Sequence, residues 1–316
     1  MKKSLIALAV AATVATPMAA SAAMLQAAGD QSGIDLYGSI RPQWVSLGDD
    51  VITDGGSRFG VKGSHDLGNG LSSFYRIEQK VSTANAEFPS GGRLAYAGLK
   101  GGWGAIAGGQ QWTPYYSIIG SPSDIFASAG LSNYNDTGGP FRAGNALTYA
   151  LPTGMVVGGA IMAVINGDIT DEVGNVAEEQ EDLDATSLGL SANAGPVVIG
   201  LGVHDQSDTN RTRVGLSVSG DLGPVFLAFM VEDTDPKEGD GGGTPWALTA
   251  QWLGIGLQFS ELDATLDGDG VDGSDTTAWT LGYQYRLSSN TRIQFAYESA
   301  DWREDDKFVA RWRVDF

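Results

Sequence analysis

Residues 306–316 read DKFVARWRVDF. Phe308, Ala310, Trp312, Val314 and Phe316 fall on one side of an extended chain, and Lys307, Arg311, Arg313 and Asp315 on the other, because successive strand side chains point to opposite faces. The same division runs through 291–300, where Ile293, Phe295 and Tyr297 oppose Arg292, Gln294 and Glu298. It runs through 275–287 too, where Trp279, Leu281, Tyr283, Tyr285 and Leu287 oppose Thr280, Gln284 and Arg286. A soluble barrel would turn the apolar set inward, but the other set then carries arginines and carboxylates. Neither face suits a dry interior. Lipid outside and water inside satisfies both, which is the condition of a transmembrane β-barrel.

Working outward, the same period recurs along the chain. In 57–67, Phe59, Val61, His65 and Leu67 alternate with Arg58, Lys62, Ser64 and Asp66. In 71–83, Leu71, Tyr75, Ile77 and Val81 oppose Arg76, Glu78 and Lys80. Adding 34–47, 93–100, 104–110, 145–151, 154–166, 184–192, 196–205, 211–220, 224–233, 244–252 and 255–264 gives an all-β chain of about sixteen strands. An even number brings both termini to one end, so the first and last strands can pair and leave no edge.

The connections sort into two kinds. Alternate ones are tight, such as DLGNG at 66–70, LPTG, SANAGP, GDLGP and LSSN. The others are longer and acidic, with carboxylates concentrated at 170–184, 233–243 and 263–275. Short turns at one end and long loops at the other is the asymmetry of an outer-membrane barrel.

One long connection differs. Residues 111–142 read QWTPYYSIIGSPSDIFASAGLSNYNDTGGPFR. Pro114, Pro122 and Pro140 interrupt it, yet Trp112, Tyr115, Tyr116, Ile118, Ile119, Phe126 and Phe141 give it too much apolar surface for a solvated loop. It is expected to fold into the lumen and narrow it.

The N-terminus carries Lys2 and Lys3, an apolar run over 5–14 and an Ala20-Ser21-Ala22 cleavage pattern. Residues 1–22 therefore read as a secretory signal peptide and 23–316 as the exported barrel. No run of about eighteen apolar residues occurs beyond it, so no transmembrane helix is encoded. The 316-residue chain has a formal net charge of -19 and no cysteine. The charge argues against nucleic acid as a partner. The missing cysteine places stability in the sheet and excludes thiolate chemistry.

Four stretches together resemble the general diffusion porins of the Gram-negative outer membrane: IDLYGSI in the first strand, SRFGVKG in the second, GRLAYAGLK in the fourth, and the terminal alternation ending in Phe316. The resemblance spans essentially the whole mature chain. It implies a homotrimer of sixteen-stranded barrels in outer-membrane lipid and lipopolysaccharide, each with its third long loop folded inside as a constriction. Small hydrophilic solutes and ions would pass, with no cofactor and no metal. Phe316 would end the signal read by the barrel-assembly machinery. The family's basic wall carries over to Arg58, Arg93 and Arg142. Arg41 lies two residues beyond the family's first-strand basic position, which is Ser39 here, and Lys62 and Arg76 share the lumen face by parity. On the loop, Asp124 in SPSDIF resembles one family acid. The Pro-Glu-Phe-Gly-Gly segment of many members is absent, leaving Asp136 as the candidate for the second.

Two other readings stay open, and an enzyme is not expected. A sugar-type channel would use an aromatic slide, for which Trp112, Tyr115 and Tyr116 are candidates. The long loops could serve an adhesin or phage receptor. An enzyme would have only His65 and His204 as imidazole bases: His65 reads as outward-facing near a turn and His204 as lying near a loop. DGDGVDGSD at 267–275 lacks the EF-hand order and reads as a surface loop, though acidic loops can share divalent cations with lipopolysaccharide. The basic constriction favours anions and the acidic loops draw cations, and the balance is expected to give weak cation preference.

Overall fold

The structure, a computed structural model, describes residues 33–127, 141–153, 155–165, 183–206, 211–236, 243–262, 276–301 and 304–316. The expected signal peptide, Asp136 and the 267–275 loop lie outside the described residues. Among the described residues, no helix is long and apolar enough to cross a membrane.

The strands are β1 (Gly33–Ile40), β2 (Pro42–Leu47), β3 (Asp49–Asp54), β4 (Arg58–Gly68), β5 (Leu71–Lys80), β6 (Gly92–Gly101), β7 (Gly104–Trp112), β8 (Arg142–Ala150) and β9 (Val157–Val164). They continue with β10 (Ala185–Ala194), β11 (Val197–Gln206), β12 (Arg211–Leu222), β13 (Val225–Pro236), β14 (Trp246–Trp252), β15 (Ile255–Leu262), β16 (Thr276–Arg286), β17 (Thr291–Ala300) and β18 (Lys307–Asp315).

All eighteen segments form one antiparallel sheet. From β4 onward each segment pairs with the next in the chain, and β18 closes the ring on both β1 and β2. The ladder of β18 runs in one register through Phe308↔Ser46, Arg311↔Gln43 and Ser39↔Asp315. So β1 and β2 are a single barrel strand broken at Arg41, and β3 and β4, which face them, are likewise a single strand. The eighteen segments therefore make the sixteen strands of a closed barrel.

The sequence pattern marks 49–54 as a connection, and the structure makes it a strand. Val51 and Ile52 are adjacent, so no alternation marks them. Pairing decides instead. With β2 held by β18 on one side, Gly48 turns at φ +70 and lays Asp49–Asp54 back along the free side.

Burial confirms the inversion of faces. Leu257 is 51% exposed and its neighbour Gln258 is 2% exposed; Trp312 is 53% exposed and Arg311 is 8% exposed. Buried positions on the inner face are largely Ser, Thr, Gln, Arg and Glu, while exposed large side chains are apolar or aromatic. At the turn end of the outer face Trp103 stacks on Tyr149 with ring centroids 6.4 Å apart, and at the loop end Trp44 meets Phe308 at 5.4 Å. Such rings suit the two interfacial belts of a bilayer.

Candidate functional site: the lumen wall and the third long connection

Residues 113–127 lie against the inner, polar face of the sheet. Tyr116–Gly120 form a short π-helical turn. Along β10–β13, the Tyr115 backbone N–H donates to Ser187 Oγ at 3.1 Å and the Ser217 hydroxyl donates to the Ile118 carbonyl at 2.7 Å. The Tyr115 hydroxyl donates to Glu232 at 2.7 Å. Further on, Gln258 Nε2 on β15 donates to the Ser123 carbonyl at 3.0 Å, and Ala127 packs beside Ala296 of β17 and Val309 of β18. The segment thus follows the wall from β10 round to β18.

The opposite part of the wall is basic. Its centre is Glu78 on β5, 1% exposed. Arg93 Nε donates to its Oε1 at 2.6 Å; Arg76 Nη2 and the Tyr37 hydroxyl donate to Oε2 at 3.1 and 2.9 Å. Arg58 Nη1 lies 3.9 Å from Oε1. One carboxylate thus organises three guanidinium groups and leaves an excess of positive charge. Arg93 reaches it because the β5–β6 register shifts between Glu78 and Gln79, a bulge that re-aims a side chain. Arg41 sits at the break between β1 and β2, its Nε donating to Ser39 Oγ at 2.7 Å. Arg311 donates twice to Gln43 Oε1, at 3.0 and 2.8 Å. Arg41, Arg58, Arg311 and Arg313 all lie within electrostatic reach of one another. Arg311 also feels the charge of Asp124 on the connection and of Asp54.

The sequence-derived residues therefore divide. Arg41, Arg58, Arg76 and Arg93 form one cluster. Lys62 lies nearer the turn end and pairs with Asp35 at 3.3 Å. Arg142 is at the root of the connection, its guanidinium 4.1 Å from the Trp112 ring centroid. Asp124 is exposed and accepts a 2.7 Å hydrogen bond from the Tyr116 hydroxyl. Glu78, Arg311 and Arg313 were not assigned to the site from sequence. Their lumen-facing parity was readable, but nothing local shows which of many lumen charges converge.

His204 is fully buried behind the connection, with its ring centroid 6.2 Å from that of Tyr115. Ser187 is its ladder partner, but neither imidazole nitrogen has a hydrogen-bond partner among the described residues, so no nucleophile–base pair forms there. Among the described residues no three acidic or histidine side chains are grouped to hold a metal ion.

A closed antiparallel barrel, apolar outside and polar inside, with a connection folded against its inner wall, has the architecture of an outer-membrane channel. The family model for the Gram-negative porins matches residues 7–305. The chain belongs to the Gram-negative porin family. The porin is similar to the major outer membrane protein P.IB of Neisseria meningitidis serogroup B (strain H44/76), at 25% identity across 98% of this chain and 97% of that one. It is 39% identical to P.IB of Neisseria gonorrhoeae over 119 residues, which are 36% of this chain and 33% of that one. Among solved structures, an anion-selective porin from Comamonas acidovorans superposes with a TM-score of 0.72 at 18% identity, covering 90% of this chain and 100% of that one. OmpF of Salmonella typhi, solved with daunomycin, superposes at 0.70 and 18% identity, covering 90% and 97%. The porin is thus a diffusion channel for small solutes in the Gram-negative outer membrane. Members of this family are channels and not enzymes.

Proposed function

We propose that the porin passes ions and small hydrophilic solutes without a fixed substrate, through a passage narrowed by 111–142. The observation that carries this is the seating of 113–127 along the inner wall from β10 to β18, with exposed Asp124 on it, while the Arg58, Arg76 and Arg93 cluster stands on β4–β6. Fixed charges of opposite sign across a narrow aqueous gap orient polar solutes and penalise those that must displace ordered water. Asp136 is the sequence-derived candidate for a second acid and lies outside the described residues; Arg142 holds the root of the connection.

The aromatic groups do not form a sugar slide. Trp112 stacks on Tyr116 at 5.0 Å, and Tyr116 packs on Phe141 at 4.6 Å. Tyr116 and Phe141 are buried, so these rings are occupied by one another.

Ion preference follows from range. The acidic loops act at the mouth, where salt screens charge within about 10 Å. Beside the Arg41 and Arg58 guanidinium groups, Arg311 and Arg313 add to the basic charge of the lumen. Our reading is therefore an anion preference, where the sequence leads to the expectation of a weak cation preference. Residues 1–22 direct export, Phe316 directs barrel assembly, and the working unit is a homotrimer in lipopolysaccharide-bearing membrane. Planar-bilayer recordings under a salt gradient test the reading. Large ohmic steps in threes with an anion-directed reversal potential support it. Absent steps, or a cation-directed potential, count against it.

A further inference from the structure

Three glycines stand side by side on the inner face of neighbouring strands. Gly189 of β10 is paired with Gly202 of β11, and Gly202 with Gly215 of β12. Strands are about 4.8 Å apart, so together they form a trench about 10 Å long without side chains. The connection lies in it. A Cβ on Gly202 would stand 2.8 Å from both Ile119 Cγ1 and Tyr115 Cδ2. On Gly215 it would stand 2.6 Å from the Tyr115 hydroxyl, and on Gly189 2.5 Å from the Pro114 carbonyl oxygen. Ordinary contact needs about 3.5–4.0 Å. A second seat lies further round the wall, where Gly256 of β15 is paired with Gly282 of β16. There the Phe126 ring would be 2.8 and 2.7 Å from the added carbons.

None of these five glycines has positive φ, so the backbone does not require glycine at any of them. Glycine inside a strand weakens it and marks a close approach. The close approach here is that of 114–126 to the wall. Polar clamps from Ser187, Ser217 and Gln258 hold the same segment at that depth.

We propose that the two glycine seats set the width of the passage, by letting the connection sink about one methyl group deeper into the wall than any other residue would allow. They are positioning residues for transport, and this rests on the reading that 111–142 narrows the lumen. The seats fix the size limit, while the charges of Asp124 and the arginine wall fix which solutes within that limit pass. Gly202→Ala pushes Tyr115 and Ile119 off the wall by about 1 Å and narrows the gap.

The test is single-channel conductance, with entry of neutral polymers of graded size, on barrels shown to be folded in unheated gels. Gly202→Ala lowers conductance by about a third and lowers the polymer size limit. Gly202→Ala with Ile119→Ala recovers part of both, because trimming Ile119 frees one side of the new methyl while Tyr115 Cδ2 still stands 2.8 Å from it. Gly108→Ala, whose Cβ meets nothing within 4 Å, changes neither. Should Gly202→Ala fail to fold, Ile119→Ala alone still tests the seat, since the connection then settles deeper and conductance rises. Unchanged or raised conductance in Gly202→Ala, a loss that Ile119→Ala does not reduce, or an unchanged Ile119→Ala overturns the proposal. Asp124→Cys treated with a bulky thiol reagent separates the two readings. If that block fails, the constriction reading itself is wrong; if it succeeds while the glycine variants show no effect, only the seats are wrong.

Discussion

The Tyr115 hydroxyl donates a 2.7 Å hydrogen bond to Glu232 Oε2, joining the third long connection to β13 across 117 positions of sequence. The other oxygen, Oε1, accepts from Arg213 Nη1 at 2.7 Å and from the Thr234 hydroxyl at 3.2 Å. All four groups are buried. Removing different members of this cluster has different costs. Tyr115→Phe loses one hydrogen bond to a buried carboxylate, about 1.5–3 kcal/mol, and loosens the connection while the barrel stands. Open-channel noise rises and the urea midpoint falls modestly. Glu232→Gln leaves the buried Arg213 without this carboxylate, at about 3–5 kcal/mol, and lowers the urea midpoint clearly.

Glu78 holds Arg58, Arg76 and Arg93 together on the basic wall. Glu78→Gln removes a negative charge from the cluster and weakens its hold on all three side chains. The reversal potential under a salt gradient moves further toward the anion potential. Current noise increases as the guanidinium groups gain freedom. A shift toward cations would show that Glu78 does not face the passage.

Leu201 lies at the centre of β11 with Leu216 of β12 directly across the ladder, both on the exposed outer face. Leu201→Arg puts a charge against lipid at about +2–4 kcal/mol near the bilayer midplane. Leu201→Val is close to neutral. Urea unfolding from lipid vesicles measures both. An equal midpoint for the two variants would mean that this face does not meet lipid.

The fold was legible in the sequence because its signals are local. Alternation in 291–300 and 306–316 assigned faces strand by strand, and turn length assigned ends. What could not be read depends on which strands meet. Residues 49–54 became a strand only through β2. Arg41 fell at a break that appears only when β1 and β2 share β18. Glu78 had the right parity, but its three arginines come from β4, β5 and β6, one of them through a bulge. His204, expected near a loop, is buried behind Tyr115, because the connection from 113 onward covers that part of the wall. The glycine rows are visible as letters, but their alignment appears only once the register is known.

One measurement decides whether 113–127 faces the arginine cluster of β4–β6 across an open passage. The chain has no cysteine, so Asp124→Cys with Arg58→Cys places the only two thiols on the connection and on β4. A reducible bifunctional thiol reagent added to a single open barrel is the most direct measurement. The expected result is a link formed within one chain, a current that falls as it forms, and recovery on adding reductant. Two modified cysteines without a link, or a link that leaves the current unchanged, would contradict the facing arrangement.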